Sequence, residues 1–338
     1  MRFRSNKVEQ PKKRFRPQSV RLMDQVREVM RYHHYSLRTE ESYVRWILAF
    51  IRFHGKQHPR DLGKAHIEAF LSDMAVRQNY AASSQSLAMN AIVFLYKHVL
   101  DLPVAEDIEA IRSKKPVRLP VVLSRSEVQR LLAQCGGMSG LLLRLMYGGG
   151  LRVMEAVRLR VQDLDFDQGL IIVRDGKGGK DRSTLFPKSL HEPVRQHLEK
   201  VRKIYEEDLA AGNANVWLPQ RLAQKYPHAP KEWIWQYAFP SRKLSVDPRG
   251  GETRRHHMDE SNIQKAVRLA RRKADIQKRV TSHTLRHSFA THLLESGTNI
   301  RVVQKLLGHK DVKTTEIYTH VLQQNLTAVV SPLDQLEQ

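Results

Sequence analysis

The chain carries one cysteine, Cys135, in 338 residues. A single thiol excludes an internal disulfide and a cysteine-based zinc site, and it fits a reducing, cytoplasmic setting. No apolar run approaches the roughly 20 residues of a membrane span. The charged N-terminus lacks the apolar core of a secretory signal, so no membrane partner is expected. Aromatic residues are only 7% of the chain, too few for an aromatic platform under single strands. The Walker spacing GxxxxGK followed by Ser or Thr is absent. Acidic residues are scarce: 35 Asp and Glu face 57 Lys and Arg, a formal charge of +22. That excess exceeds what solubility requires and implies a polyanionic partner.

What is present reads as mainly helical, with a small antiparallel sheet. Residues 1–18 set Arg2, Arg4, Lys7, Lys12, Lys13, Arg14 and Arg16 against Glu9 alone, the pattern of a basic disordered arm. Residues 19–101 read as a four-helix DNA-binding bundle. Val20, Met23, Val26 and Met30 mark its first helix. Tyr43, Trp46, Ile47 and Phe50, behind a cap at Thr39, mark its second. Ile67, Phe70 and Met74 mark the third, and Leu87, Ala91 and Phe94 the fourth. Arg27, Arg31, Arg38, Arg45, Arg52 and Arg77 are left on outer faces, where they suit phosphates. Residues 102–121, broken by Pro103, Pro116 and Pro120, read as a linker. Two basic domains so joined would close on a duplex as a C-shaped clamp.

Residues 122–338 form the second expected domain. Ser124 and Glu127 make a capping box. The apolar helix GLLLRLMYGGG then runs into Arg152. Val161–Phe166, Gly169–Arg174 and Asp181–Phe186 read as three short strands, with Lys177 in a glycine-rich hairpin tip. A helix follows at about Lys188–Leu209. Thr281–His320 reads as three short helices. Leu285, Phe289, Leu293 and Leu294 give the first its buried face, and Gly297 stops it. Gly308 ends the second, and Asp311 caps a third that carries Ile317 and Tyr318. His283 and Arg286, three apart, share a helix face. His309 and Tyr318 follow. Two imidazoles, a guanidinium and a phenol suit phosphate chemistry. A phenol titrates at about 10, so it needs cationic neighbours to act as a nucleophile at neutral pH. Taken singly, each residue has a plainer reading: a core tyrosine, a capping histidine, a turn lysine.

Taken in order, Arg152 in YGGGLRVMEAVRL, Lys177, His283-Thr-Leu-Arg286, Leu-Gly-His309 and Tyr318 in IYTH resemble the tyrosine recombinase, or phage-integrase, family. The resemblance covers about residues 20–325. It implies a tyrosine-recombinase catalytic domain whose catalytic residues are Arg152, Lys177, His283, Arg286, His309 and the nucleophile Tyr318. The implied reaction is a phosphotyrosyl exchange needing neither metal nor ATP, carried out by four protomers at a synapse. The tail, 320–338, would pack on a neighbouring subunit or on its own domain.

A narrower resemblance follows. Residues 212–238 are rich in Pro and Trp and keep neither helical nor strand period, and DPRGGETRRHHMDES comes after them. The YPHA, FPS, DP and RRHH pieces resemble integron integrases. That group's substrates are a folded single-stranded cassette hairpin and a double-stranded attachment site. By resemblance, Trp235, Pro248, His256 and His257 would contact extrahelical bases. The plainer reading makes Trp233 and Trp235 strand neighbours and His256-His257 a hairpin pair. Three rivals to the whole assignment stand. One is a chromosome-dimer resolvase or phage-type integrase of the same family. Another is a DNA-binding protein without chemistry. The third is a metal-dependent hydrolase using His283 and His287, four apart, although Arg286 beside them would repel a dication and no HExxH is present.

Overall fold

The computed structural model describes residues 15–102, 120–174 and 181–319. The chain divides into two compact units, Met1–Val117 and Arg118–Gln338. The expected arm, the linker, the tail and Lys177 fall wholly or mostly outside the described residues.

The first unit is built from α1 (Leu22–Tyr32), α2 (Leu37–Phe53), α3 (Lys64–Val76) and α4 (Ala82–Phe94). Their apolar stripes meet in a core of Val26, Met30, Ile47, Phe50, Phe70, Met74 and Ile92. The cap of α2 is Ser36 rather than Thr39, since the Ser36 side chain accepts from the Thr39 N–H at 3.2 Å. The helix therefore starts one turn earlier than the apolar stripe alone suggests. Two of the arginines on the outer face also hold a buried carboxylate. Arg31 and Arg27 lie 3.1 and 3.7 Å from the carboxylate of Glu40, which is only 2% exposed. A buried carboxylate without such partners would be costly. α4 passes into a π-turn, Leu95–Leu100, whose Tyr96 hydroxyl reaches the carbonyls of Pro59 and Leu62.

The second unit wraps around α6 (Gly137–Gly149), whose Leu141, Leu142, Leu143, Leu145 and Met146 are all buried. α5 (Arg125–Ala133) precedes it, with the Ser124–Glu127 capping box formed. α7 (Val153–Val157) follows. β1 (Leu164–Asp165), β2 (Leu170–Val173) and β3 (Arg182–Leu185) make an antiparallel sheet in the order β1-β2-β3, with Ile171 paired to both Leu164 and Thr184. The first strand is shorter than expected. Residues 161–163 form a 3-10 turn because the Asp163 carboxylate accepts the Arg160 N–H at 2.9 Å. Such local bonds compete with a sheet ladder.

The helix α8 (His191–Ala210) leads to residues 212–238, which contain α9 (Gln220–Lys225) and two 3-10 turns. Trp233 and Trp235 lie in one such turn, not in a strand. β4 (Pro240–Val246) and β5 (Thr253–His257) then form a hairpin. α10 (Glu260–Lys273), α11 (Ser282–Glu295), α12 (Ile300–Leu307) and α13 (Lys313–Glu316) complete the unit. Thr281 caps α11, and its N–H donates to Thr284 Oγ1 at 3.0 Å. Asp311 accepts the Lys313 N–H as expected, but α13 ends at Glu316, so Tyr318 sits in the turn beyond it. Among the described residues no helix is long and apolar enough to cross a membrane.

Candidate active site

Two glycines with positive φ shape the site. Gly150 (φ 62°) ends α6, and its carbonyl accepts from Arg286 Nη1 at 2.6 Å. Gly308 (φ 65°) ends α12 where the chain passes close to Arg182. A Cβ there would lie 2.6 Å from Arg182 Cδ. Both positions favour glycine because left-handed backbone crowds a side chain.

Between these turns, one carboxylate gathers three guanidiniums. Glu155 accepts from Arg152 Nη1 at 2.6 Å and takes a two-pronged bond from Arg182 at 2.9 and 2.7 Å. Arg286 Nη1 lies 3.7 Å away. Glu155 also accepts the Arg152 backbone N–H at 2.8 Å, which closes the first turn of α7. Burial alone would raise the Glu155 carboxyl, but the Arg182 and Arg152 bonds outweigh it and hold it at about 2. Three guanidiniums and one carboxylate leave a net of two positive charges, the complement of an oxyanion.

Arg286 is the most buried of the three, 3% exposed. Its Nη2 donates to the Leu307 carbonyl at 2.6 Å and lies 3.2 Å from His309 Nε2. Burial, and then Arg152, lower its pKa to about 9, which leaves it protonated at neutral pH. His309 Nε2 accepts that N–H, so the ring's own proton sits on Nδ1, 2.9 Å from Thr315 Oγ1. His283, at the start of α11, keeps an exposed face. Desolvation by the surrounding protein, followed by the charges of Arg286 and Arg152, lowers its pKa.

Tyr318 packs into a small apolar cluster with Phe289, Ala290, Val303 and Leu307 and is 2% exposed. Its ring stacks on His309 at 6.3 Å between centroids. Its hydroxyl lies 3.0 Å from His287 Nδ1. Burial raises the phenol above its ordinary value, and Arg286 and Arg152 pull it back only in part. The expectation of cation neighbours is therefore met, but in this state their pull does not exceed desolvation. Arg152, His283, Arg286, His309 and Tyr318 come together. Lys177 lies outside the described residues.

Several residues of the site were not singled out in the sequence. Glu155 and Arg182 organise the cations, and only the three-residue step from Arg152 to Glu155, a capping pattern, signalled the first of them. Thr315 orients His309 without a motif. His287 contacts the phenol, where the sequence offered it only as half of a zinc pair. Among the described residues no group of three or more His, Cys, Asp or Glu is placed to hold a metal ion.

The four residues read as base contacts lie apart from this cluster, about the β4–β5 hairpin and the segment before it. Pro248 is exposed in the hairpin turn and His256 is exposed on β5. Trp235 is partly buried. His257 is buried, with Nδ1 2.8 Å from the Met258 carbonyl, and burial takes it down to about 4. Its ring therefore backs the hairpin rather than facing outward here. Arg160, itself buried, anchors the segment. Its Nη1 donates to the Trp235 carbonyl, its Nη2 to the Trp217 carbonyl at 2.8 Å, and its guanidinium stacks 4.8 Å from the Tyr237 ring centroid. Gln236 Nε2 lies 3.1–3.2 Å from the carbonyls of Ala214, Pro230 and Glu232. Trp217 leaves 46% of its surface open.

The described geometry joins a helical unit to a mostly helical second unit that clusters arginines, histidines and a tyrosine. The phage integrase family pattern matches residues 121–325, and that of the phage integrase N-terminal SAM-like domain matches 22–106. The chain belongs to the phage integrase family, the tyrosine recombinases of site-specific DNA recombination. An integrase/recombinase of Escherichia coli is 49% identical over 320 residues, 94% of each chain. The tyrosine recombinase XerA of Thermococcus kodakarensis is 36% identical over 63% of this chain and 62% of its own. The Tn1549 transposon integrase, solved with transposon right end DNA, shares the fold at a TM-score of 0.59. That match covers 91% of this chain and 99% of the other at 15% identity.

Proposed function

We infer that this chain is a DNA recombinase of the integron-integrase kind, which integrates and excises gene cassettes through Tyr318. The observation that carries the chemistry is the sharing of Glu155 by Arg152, Arg182 and Arg286, with His309 bridging from Arg286 to the Tyr318 ring. In this reading the Tyr318 oxygen attacks a backbone phosphorus, the P–O5′ bond breaks, and a 3′-phosphotyrosyl link forms. Arg152 and Arg286 grip the non-bridging oxygens as charge develops there. Losing one such donor costs about 3–4 kcal/mol in the barrier. Lys177 protonates the departing 5′-oxygen, His283 takes the Tyr318 proton, and His309, protonated when DNA is bound, donates a hydrogen bond to the phosphate. A second 5′-hydroxyl then attacks the link and rejoins the strands, so the ester bond is conserved without ATP. The partners are a double-stranded attachment site, a folded single-stranded cassette hairpin and three further copies of the chain, acting in the cytoplasm.

The hairpin reading is supported by the tethered segment 212–238 and by the open faces of Trp217, Pro248 and His256. Extruding a base costs a few kcal/mol, least when it is already unpaired. Aromatic stacking returns roughly 1–3 kcal/mol per base. A second reading, a chromosome-dimer resolvase or phage-type integrase of the same family, has no use for hairpins.

Two measurements test these readings. Tyr318→Phe should abolish the covalent protein–DNA adduct on a nicked trapping substrate. An adduct formed equally by the variant refutes the nucleophile. Deleting Trp217–Tyr237 should remove recombination of the folded hairpin, and unchanged hairpin recombination favours the resolvase.

A further inference from the structure

His287 has no part in the chemistry above. It lies one turn beyond His283 on α11, half-buried, with its ring centroid 5.5 Å from that of Tyr318. Among the described residues it is the hydrogen-bond partner of the Tyr318 hydroxyl, at 3.0 Å. A hydroxyl this buried needs an acceptor for its hydrogen. A neutral imidazole offers one acceptor nitrogen. The phenolic O–H therefore donates to Nδ1, and the ring's own proton sits on Nε2.

We propose that His287 is a positioning residue for the nucleophile: its Nδ1 accepts the Tyr318 O–H, fixes the phenolic oxygen beside the arginine cluster, and keeps it protonated until a phosphate displaces that bond. This rests on the reading of Tyr318 as the nucleophile.

The competing role for a histidine at this spot is general base, and magnitudes argue against it. Burial, followed by the neighbouring His283 and Arg286, takes the His287 ring down to about 4. The phenol is raised above 10. Both shifts oppose passing the proton from the phenol to the ring. A bond to the neutral phenol also stabilises that neutral form. Orientation is what remains: with the O–H hydrogen on Nδ1, the oxygen's lone pairs point away from His287.

The test compares the full-length parent with His287→Asn, His287→Leu and Tyr318→Phe in single-turnover adduct formation on a nicked trapping duplex that the parent cleaves. Asparagine places a carboxamide oxygen where Nδ1 stands, and leucine offers no acceptor. At saturating DNA, His287→Asn should stay within about threefold of the parent, with the same pH profile. His287→Leu should slow adduct formation about tenfold or more with unchanged DNA affinity. An asparagine variant as slow as the leucine one, or one that loses the acid limb of the profile, overturns the proposal in favour of proton transfer. Equal rates for the parent and both His287 variants overturn any role. Imidazole nitrogen NMR gives an independent arm: Tyr318→Phe should shift the His287 Nδ1 resonance, and an unmoved resonance overturns the bond itself. Adduct formation by Tyr318→Phe would instead sink the nucleophile assignment, which separates that failure from the failure of this inference.

Discussion

Replacing Glu155 by glutamine tests how the arginine cluster is held. In the folded chain this carboxyl sits at about 2, against an ordinary 4.5. At about 1.36 kcal/mol for each pH unit of that gap, the folded state gains about 3 kcal/mol. The folded value lies below the unfolded one, so between the two the unfolded chain binds more protons. The stabilisation is thus fully present above about pH 4.5 and is lost as the pH falls through about 2. A separate route gives a similar size: removing one partner of a buried ion pair costs about 3–5 kcal/mol. Glutamine keeps the volume and one carbonyl acceptor but leaves three guanidiniums to repel one another. Urea unfolding of parent and variant should show the variant less stable by about 3 kcal/mol near neutral pH, with the gap narrowing toward acid. Equal stabilities near neutral pH would refute the reasoning, as would a gap that stays constant as the parent carboxyl is protonated.

Other outcomes follow from single contacts. Gly308→Ala forces a Cβ against Arg182 in left-handed backbone, and a thermal melt should show a loss of about 1–3 kcal/mol. Arg160→Met leaves the Trp217 and Trp235 carbonyls without their donor. Limited proteolysis should then cut within residues 212–238 faster than in the parent, and an unchanged pattern would dismiss the tether.

Much of the helical framework could be read from periodicity, because apolar stripes such as Tyr43–Trp46–Ile47–Phe50 are local in sequence and their burial follows from spacing. Caps were less legible where two hydroxyls competed, as at Ser36 and Thr39. The strand expected from Val161 gave way to a turn because one carboxylate, Asp163, satisfied a backbone N–H locally. The ordered motif named Arg152, Arg286, His309 and Tyr318, and these do converge. It could not name Arg182 or His287, since their roles come from β3 and α11 meeting partners far away in the chain. The sign of the phenol shift was equally out of reach, because it depends on burial by Phe289 and Leu307 as much as on charge.

The anchoring of residues 212–238 has a consequence for how that surface can change. Arg160 and Gln236 hold main-chain oxygens, which every amino acid supplies. The outward group at 217 can therefore be exchanged while the loop keeps its path. A surface mounted this way is free to change its side chains without renegotiating the scaffold beneath it.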